Sequence, residues 1–189
     1  MRYRDGVTTY RIDPSASHVH VFTYAEGLFA RLAHDLRLTV APSELTATRD
    51  TSGKATLKGK IALSALSVDG VMKGDTLKTD VLSDKDRLEI LERMRSDVFG
   101  GASPESAVTL EGTLEGTSLR LTVSSPSGRT TSATAKVVGT SNDNGETVRG
   151  ELDLHLKEIA GHDVKGPLGA FRIGDRIRVT FDAHFVAEP

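Results

Sequence analysis

The chain has 189 residues, of which 26% are charged and 38% hydrophobic, as expected for a single globular domain over residues 1–189. It contains no cysteine, which excludes disulfides, thiolate metal sites and cysteine nucleophiles. The 24 basic and 26 acidic residues nearly balance and alternate along the chain, which argues against binding to nucleic acid or to an anionic membrane. With neither an apolar run of membrane-spanning length nor a secretory signal, we expect a soluble protein of the cytoplasm.

Apolar and polar residues alternate with a period of two along most of the sequence, which is typical of strands with one buried face. The second strand illustrates the pattern, because Leu36, Leu38 and Val40 share one face with Leu32 and His34. In chain order, the alternation predicts about eight or nine strands: over 17–24, 32–40, around Leu45, and over 57–63, 108–114, 119–123, 133–137, 148–156 and 177–185.

Glycine-rich and asparagine-rich turns separate these strands, for example at 51–53, 126–128 and 142–145. Consecutive hairpins make an antiparallel sheet. A closed up-and-down barrel covers the apolar faces and removes exposed sheet edges, so the sequence predicts an all-β, lipocalin-like barrel of about eight strands. A β-sandwich is the alternative.

One segment between the strands has a helical period. Ser83 is placed to cap a helix, acidic residues follow in its first turn, and Gly100-Gly101 ends it. Leu88, Leu91, Met94 and Val98 recur at helical spacing. The sequence therefore predicts one central α-helix near residues 84–98.

Two histidine features of the sequence are candidate sites. His18 and His20 lie on one face of a strand, but a metal site needs a third ligand such as His34, Asp35 or His184, so we expect an outer stripe and no metal or other cofactor. His34 lies between apolar neighbours. The favoured interpretation is a buried histidine with a backbone or hydroxyl partner, and the alternative is a polar contact inside a ligand cavity.

Four segments resemble the YceI-like family. They are the opening Tyr10–Val19 with its Ile-Asp-Pro tripeptide, the glycine to His-Asp stretch Gly27–Asp35, the central helix with Asp84–Arg87 and Met94–Phe99, and the final loop and strand Gly166–Ile177. Members of that family are lipocalin-like antiparallel barrels, and characterised ones bind amphiphilic isoprenoid chains inside the barrel. The resemblance implies the same fold and ligand class for this chain.

The inward residues of the predicted barrel are rich in valine, leucine and alanine and poor in aromatic residues, which favours a hollow interior. We therefore expect non-catalytic binding or transport of a long apolar or amphiphilic molecule, isoprenoid or lipid-like. The predicted ligand-binding residues are Val19, Val21, Leu32, His34, Leu36, Leu38, Leu57, Ile61, Leu63, Leu110, Leu121, Leu152, Leu154, Val179 and Phe181.

Two other functions remain open at this point. One is an enzyme that acts on such a ligand with His34 as acid or base. The other is a ligand-free structural barrel whose outer stripe of His18, His20, Phe22 and Tyr24 forms a subunit contact, for example in a homodimer.

Overall fold

The computed structural model describes residues 7–27, 34–142, 145–166, 169 and 171–188. Within them the chain forms fourteen strands and two helices. The strands are β1 (Thr8–Ile12), β2 (His18–Thr23), β3 (Ala25–Glu26), β4 (Asp35–Val40), β5 (Glu44–Arg49), β6 (Ala55–Ala62), β7 (Leu66–Lys73), β8 (Thr76–Lys78), β9 (Ala107–Glu115), β10 (Ser118–Ser124), β11 (Thr130–Asn142), β12 (Gly145–His155), β13 (Arg172–Ile173) and β14 (Arg176–Ala187).

The larger sheet closes on itself as an antiparallel barrel. Its ring runs β1-β5-β6-β9-β10-β11-β12-β14 and returns to β1 through pairs such as Ile12 with Phe185. Eight strands therefore form the closed ring, and the prediction of an all-β antiparallel barrel is confirmed, whereas the β-sandwich alternative is not.

Three of the ring strands, β1, β5 and β6, each adjoin another strand across a bend in the chain. β2 follows β1 and pairs with β14 and β4, β4 precedes β5 and pairs with β7, and β7 follows β6 and pairs with β8. β3 and β13 form a separate small sheet. β6 pairs with β9, but the bend after β6 carries β7 away from β9. The chain between β8 and β9 forms a helix.

Helix α1 (Asp84–Arg93) continues through one wider turn over Met94–Val98, so the predicted helix near residues 84–98 is confirmed. The Ser83 hydroxyl accepts from the Asp86 backbone N–H, and the Asp86 carboxylate accepts from the Ser83 backbone N–H, which forms a capping box. A second, short helix, α2 (Leu156–Ala160), begins where the sequence predicted the last residue of a strand. In the described part of the chain, no helix is both long and apolar enough to cross a lipid bilayer.

Arg87 fixes α1 to the barrel. Its guanidinium donates to the backbone carbonyls of Val68 and Asp69 on β7, and to those of Thr79 and Leu82 in the segment before the helix. Hydrogen bonds from a charged donor are stronger than those between neutral groups. One side chain therefore ties the helix to the wall beside it.

Gly59 allows β5 and β6 to pair closely. A Cβ atom at this position would clash with the Leu45 side chain and the Glu44 carbonyl oxygen, and would lie 2.9 Å from Leu45 Cα. At Gly139 on β11, the nearest atom to such a Cβ is the Thr147 carbonyl oxygen, 4.0 Å away.

We therefore expect Gly59→Ala to lower the free energy of unfolding by roughly 1–3 kcal/mol, because the added methyl overpacks the contact between β5 and β6. Urea denaturation measures the change. Gly139→Ala is the matched control, and we expect it to be neutral or stabilising by up to about 1 kcal/mol. Equal stability of the two variants would show that the close approach at Gly59 is not required.

Candidate functional site

An apolar cavity of about 750 Å³ lies inside the barrel. Along β14 its wall extends from Ile177 to Phe185, a span of nine residues or about 26 Å along the strand at the usual rise per residue. Because barrel strands are tilted, this corresponds to about 20 Å along the barrel axis. The cavity therefore occupies much of the length of the barrel.

Alternate residues of the ring strands form the wall. On β14 the cavity is lined by Ile177, Val179, Phe181, Ala183 and Phe185, whereas the residues between them face outward. Several of these inward side chains, such as those of Val179 and Phe181, are only half-buried although they lie inside a closed barrel. Their remaining exposed surface faces the cavity.

Thirteen of the fifteen residues predicted to contact a ligand line this cavity: Val19, Val21, His34, Leu36, Leu38, Leu57, Ile61, Leu110, Leu121, Leu152, Leu154, Val179 and Phe181. Leu32 lies outside the described residues. The structure thus brings together side chains from strands that are far apart in sequence.

Leu63 was predicted to line the cavity, and this is wrong. The strand ends at Ala62, and Leu63 begins a single 3₁₀ turn, Leu63–Ala65, at the bend between β6 and β7. Its backbone N–H donates to the Ser106 carbonyl, and its side chain is 2% exposed in the hydrophobic core. The change from strand to turn leaves its side chain packed within the core rather than on the cavity wall.

The interpretation of His34 as a buried strand residue is also wrong. β4 begins at Asp35, and His34 is exposed at the edge of the cavity. The first pairing between β2 and β4 joins Thr23 to Leu36, so the ladder with β2 does not reach His34. Asp35 instead accepts a hydrogen bond from the Ala25 backbone N–H.

The helical segment forms one wall near the same end of the barrel as His34. Ile90, Met94 and Val98 contribute apolar surface to the cavity, and the charged side chains there include those of Glu89 and Arg93, 3.7 Å apart. Phe171 and Ile173 add apolar surface from the segment before β14. Sequence reasoning identified the helix but not its role in the cavity wall.

Three polar side chains form a cluster at the other end of the cavity. Arg49 lies on the inward face of β5 after Leu45 and Ala47, and Glu146 lies on the inward face of β12 before Val148. The Arg49 guanidinium donates to the Glu146 carboxylate at 2.5 Å. Tyr10 on β1 lines the same part of the wall.

The Glu146 side chain is 12% exposed and that of Arg49 is 34% exposed, so the carboxylate is largely shielded from water and the guanidinium only partly. Burial, and then the Glu146 carboxylate, raise the pKa of the Tyr10 phenol, which therefore keeps its proton. Sequence reasoning missed this cluster. The available signal was the period of two, which places Arg49 and Glu146 on the same faces as their apolar neighbours.

His18 and His20 lie on the outer face of β2. The His20 ring contacts the Thr39 hydroxyl at 3.1 Å, and that hydroxyl donates to the Asp69 carboxylate, which also accepts from Arg37. Among the described residues, no three histidine or carboxylate side chains are arranged to hold a metal ion. The described contacts of His20 are those of a surface hydrogen-bond network.

Comparison with solved structures identifies a shared fold. The chain is similar to the crystal structure of Burkholderia cenocepacia BcnA, with a TM-score of 0.61, 11% sequence identity, and coverage of 92% of this chain and 98% of that chain. No protein-family model matches the sequence, and neither does any curated protein. The similarity in fold thus extends over almost the whole length of both chains.

His20 should make stability depend on pH. Burial and the neighbouring Arg37 hold the pKa of His20 below its ordinary value of 6.5, although Asp69, 3.8 Å away, acts in the opposite direction. Below that value the unfolded chain binds a proton that the folded chain resists, so the free energy of unfolding falls as the pH drops.

We expect His20→Gln to show a smaller loss of stability than the wild type between pH about 7.5 and pH about 5.5. Urea denaturation at the two pH values provides the measurement, with the exposed His162 changed to Gln as control. If His20→Gln loses as much stability as the wild type, the protonation of His20 is not the cause.

Proposed function

We propose that the chain is a non-catalytic binding or transport protein for a long apolar or amphiphilic molecule, isoprenoid or lipid-like, held inside the barrel. The observation that carries this proposal is the 750 Å³ cavity with its nearly continuous wall of apolar side chains. Ligand cavities for small molecules have volumes of roughly 300–1,000 Å³ and mostly apolar walls. A fully packed structural barrel would have no such space.

Burial of a hydrocarbon chain supplies enough free energy for binding. Each buried methylene contributes about 0.8 kcal/mol, so a chain of several isoprene units gains on the order of 10 kcal/mol before the costs of ordering it. The distance from Ile177 to Phe185 accommodates an extended chain of that kind. Such a wall needs no special motif, which explains why the ligand's identity is hard to infer from sequence.

The YceI-like resemblance of four segments supports the same proposal. One of them, Tyr10–Val19, includes the end of β1 and the start of β2, and another includes α1. The fold shared with BcnA supports a barrel of this general architecture. The location in the cytoplasm and a homodimer through the outer stripe of β2 stay predictions.

An enzyme with His34 as acid or base is the weaker alternative. His34 is exposed at the cavity edge, and no hydrogen bond joins its ring to another described side chain that would orient or activate it. General acid–base catalysis needs a positioned group within hydrogen-bond reach of the substrate proton. Incubation with candidate isoprenoids separates the two functions, because binding leaves the ligand mass unchanged.

We expect an organic extract of the purified protein, analysed by mass spectrometry, to contain a long-chain apolar molecule in a near-stoichiometric amount. The extract of an unrelated protein purified from the same cells is the control. The wild type stripped of its ligand should then bind a long-chain alkane reversibly. A stripped protein that binds no long-chain molecule would contradict the proposal.

Filling part of the cavity should weaken binding. Leu121 lines the wall between Gly112 and Ala133, its partners on the neighbouring strands, which leave room for a larger side chain. We expect Leu121→Trp to weaken alkane binding at least about tenfold, because the indole occupies the ligand's space. Arg120→Trp, at the adjacent outward and exposed position, should bind as the wild type does. Equal binding by both variants would place the ligand outside the barrel.

A further inference from the structure

The polar end of the cavity is built by three different strands. Tyr10, Arg49 and Glu146 occupy inward positions on β1, β5 and β12, and all three line the apolar cavity. The Arg49–Glu146 pair joins β5 to β12 at 2.5 Å. A ligand chain that reaches this end therefore meets a localised polar cluster rather than more hydrocarbon.

Stability does not explain this placement. Burying two charges costs solvation free energy that their attraction barely offsets, and apolar replacements of buried ion pairs are often equally stable or more stable. The cavity wall next to the pair is apolar, since Ala47 and Val148 are the adjacent residues on the same inward faces. The position of the ion pair on the wall of an apolar cavity places it in contact with whatever the cavity holds.

The charges and donors of the cluster define what it can bind. The carboxylate of Glu146 neutralises the guanidinium of Arg49, so the pair has no net charge to offer an anion. The phenol of Tyr10 keeps its proton, which it shares with the Glu146 carboxylate and can turn toward a ligand oxygen. The Arg49 guanidinium has five N–H donors, and its Nε is buried with no hydrogen-bond partner among the described residues.

We propose that Tyr10, Arg49 and Glu146 form a head-group site that selects ligands ending in an uncharged hydrogen-bond acceptor, a hydroxyl or a carbonyl oxygen, and disfavours anionic head groups. This inference rests on the proposed function, since it requires the chain of the ligand to lie in the cavity. Donors from Tyr10 and Arg49 satisfy the acceptor, while Glu146 repels a carboxylate or phosphate in the same shielded space.

Replacement of Glu146 tests this selectivity. Glu146→Gln removes the repelling charge and leaves the positive charge of Arg49 uncompensated, so the cluster should then attract an anion. The probes are dodecanol, dodecanoate and dodecane at about pH 8, where dodecanoate is ionised. Their dissociation constants are measured by displacement of an uncharged fluorescent reporter from the cavity.

Any apolar cavity disfavours a carboxylate, so the decisive quantity is the change in the ratio of the dodecanoate to the dodecanol dissociation constant. We expect Glu146→Gln to lower this ratio at least about tenfold. The matched control is Glu115→Gln, which breaks an exposed pair with Lys54 at the same end of the barrel but outside the cavity, and should change the ratio less than about twofold.

A second variant keeps the test informative if Glu146→Gln does not fold. We expect Tyr10→Phe to weaken dodecanol binding about three- to tenfold while leaving dodecane binding unchanged, because it removes only a donor. An unchanged ratio in folded Glu146→Gln, or equal effects of Tyr10→Phe on dodecanol and dodecane, would overturn the head-group site. Failure of dodecane itself to bind the wild type would instead overturn the proposed function.

Discussion

The antiparallel pairing of β14 on both of its edges is the constraint on which the structure depends. β14 pairs with β12 from Arg176 to Phe185 on one edge, while its two halves pair with β2 and β1 on the other. The pairing with β1 closes the ring, and once the ring is closed, alternate residues of its strands must face either the interior or solvent. The long strand thus converts a simple sequence alternation into an enclosed apolar space, with the bent strands β1/β2, β4/β5 and β6/β7 forming part of its wall.

Much of the barrel was predictable because the sequence patterns that specify its strands and helix each lie within a short segment of the chain. The period of two in β12 and β14 places Leu152, Leu154 and Val179 on the cavity wall, and the same pattern identified Val19 and Val21 on β2. The helix was equally predictable, since the capping box at Ser83 and Asp86 and the glycines after Phe99 are encoded within a few residues. Where a side chain faces is fixed by the strand period, so a correct strand assignment gave a correct inward face.

The remaining features depend on contacts between distant segments. β1, which closes the ring, escaped prediction because Thr8–Ile12 contains too little alternation to mark it as a strand. His34 was misplaced because the ladder between β2 and β4 begins with Thr23 and Leu36 and does not reach it. Leu63 was misplaced because β6 ends at Ala62, where the chain bends. Arg49 and Glu146 are charged residues at inward positions, and nothing in either segment indicates that the other lies 2.5 Å away. Pairing partners, bends and buried charge pairs are properties of the folded chain.

The size and chemistry of the interior connect the fold to its proposed role. Aliphatic side chains line the middle of the cavity, the helical segment forms a wall at one end, and the Arg49–Glu146 pair lies at the other. Xenon binds in empty apolar cavities, so a crystal of the ligand-free protein under xenon pressure tests this interior directly. A hollow barrel predicts xenon atoms between Leu57, Leu110 and Val179. An interior without xenon, in which these side chains pack against one another across the barrel axis, would contradict it.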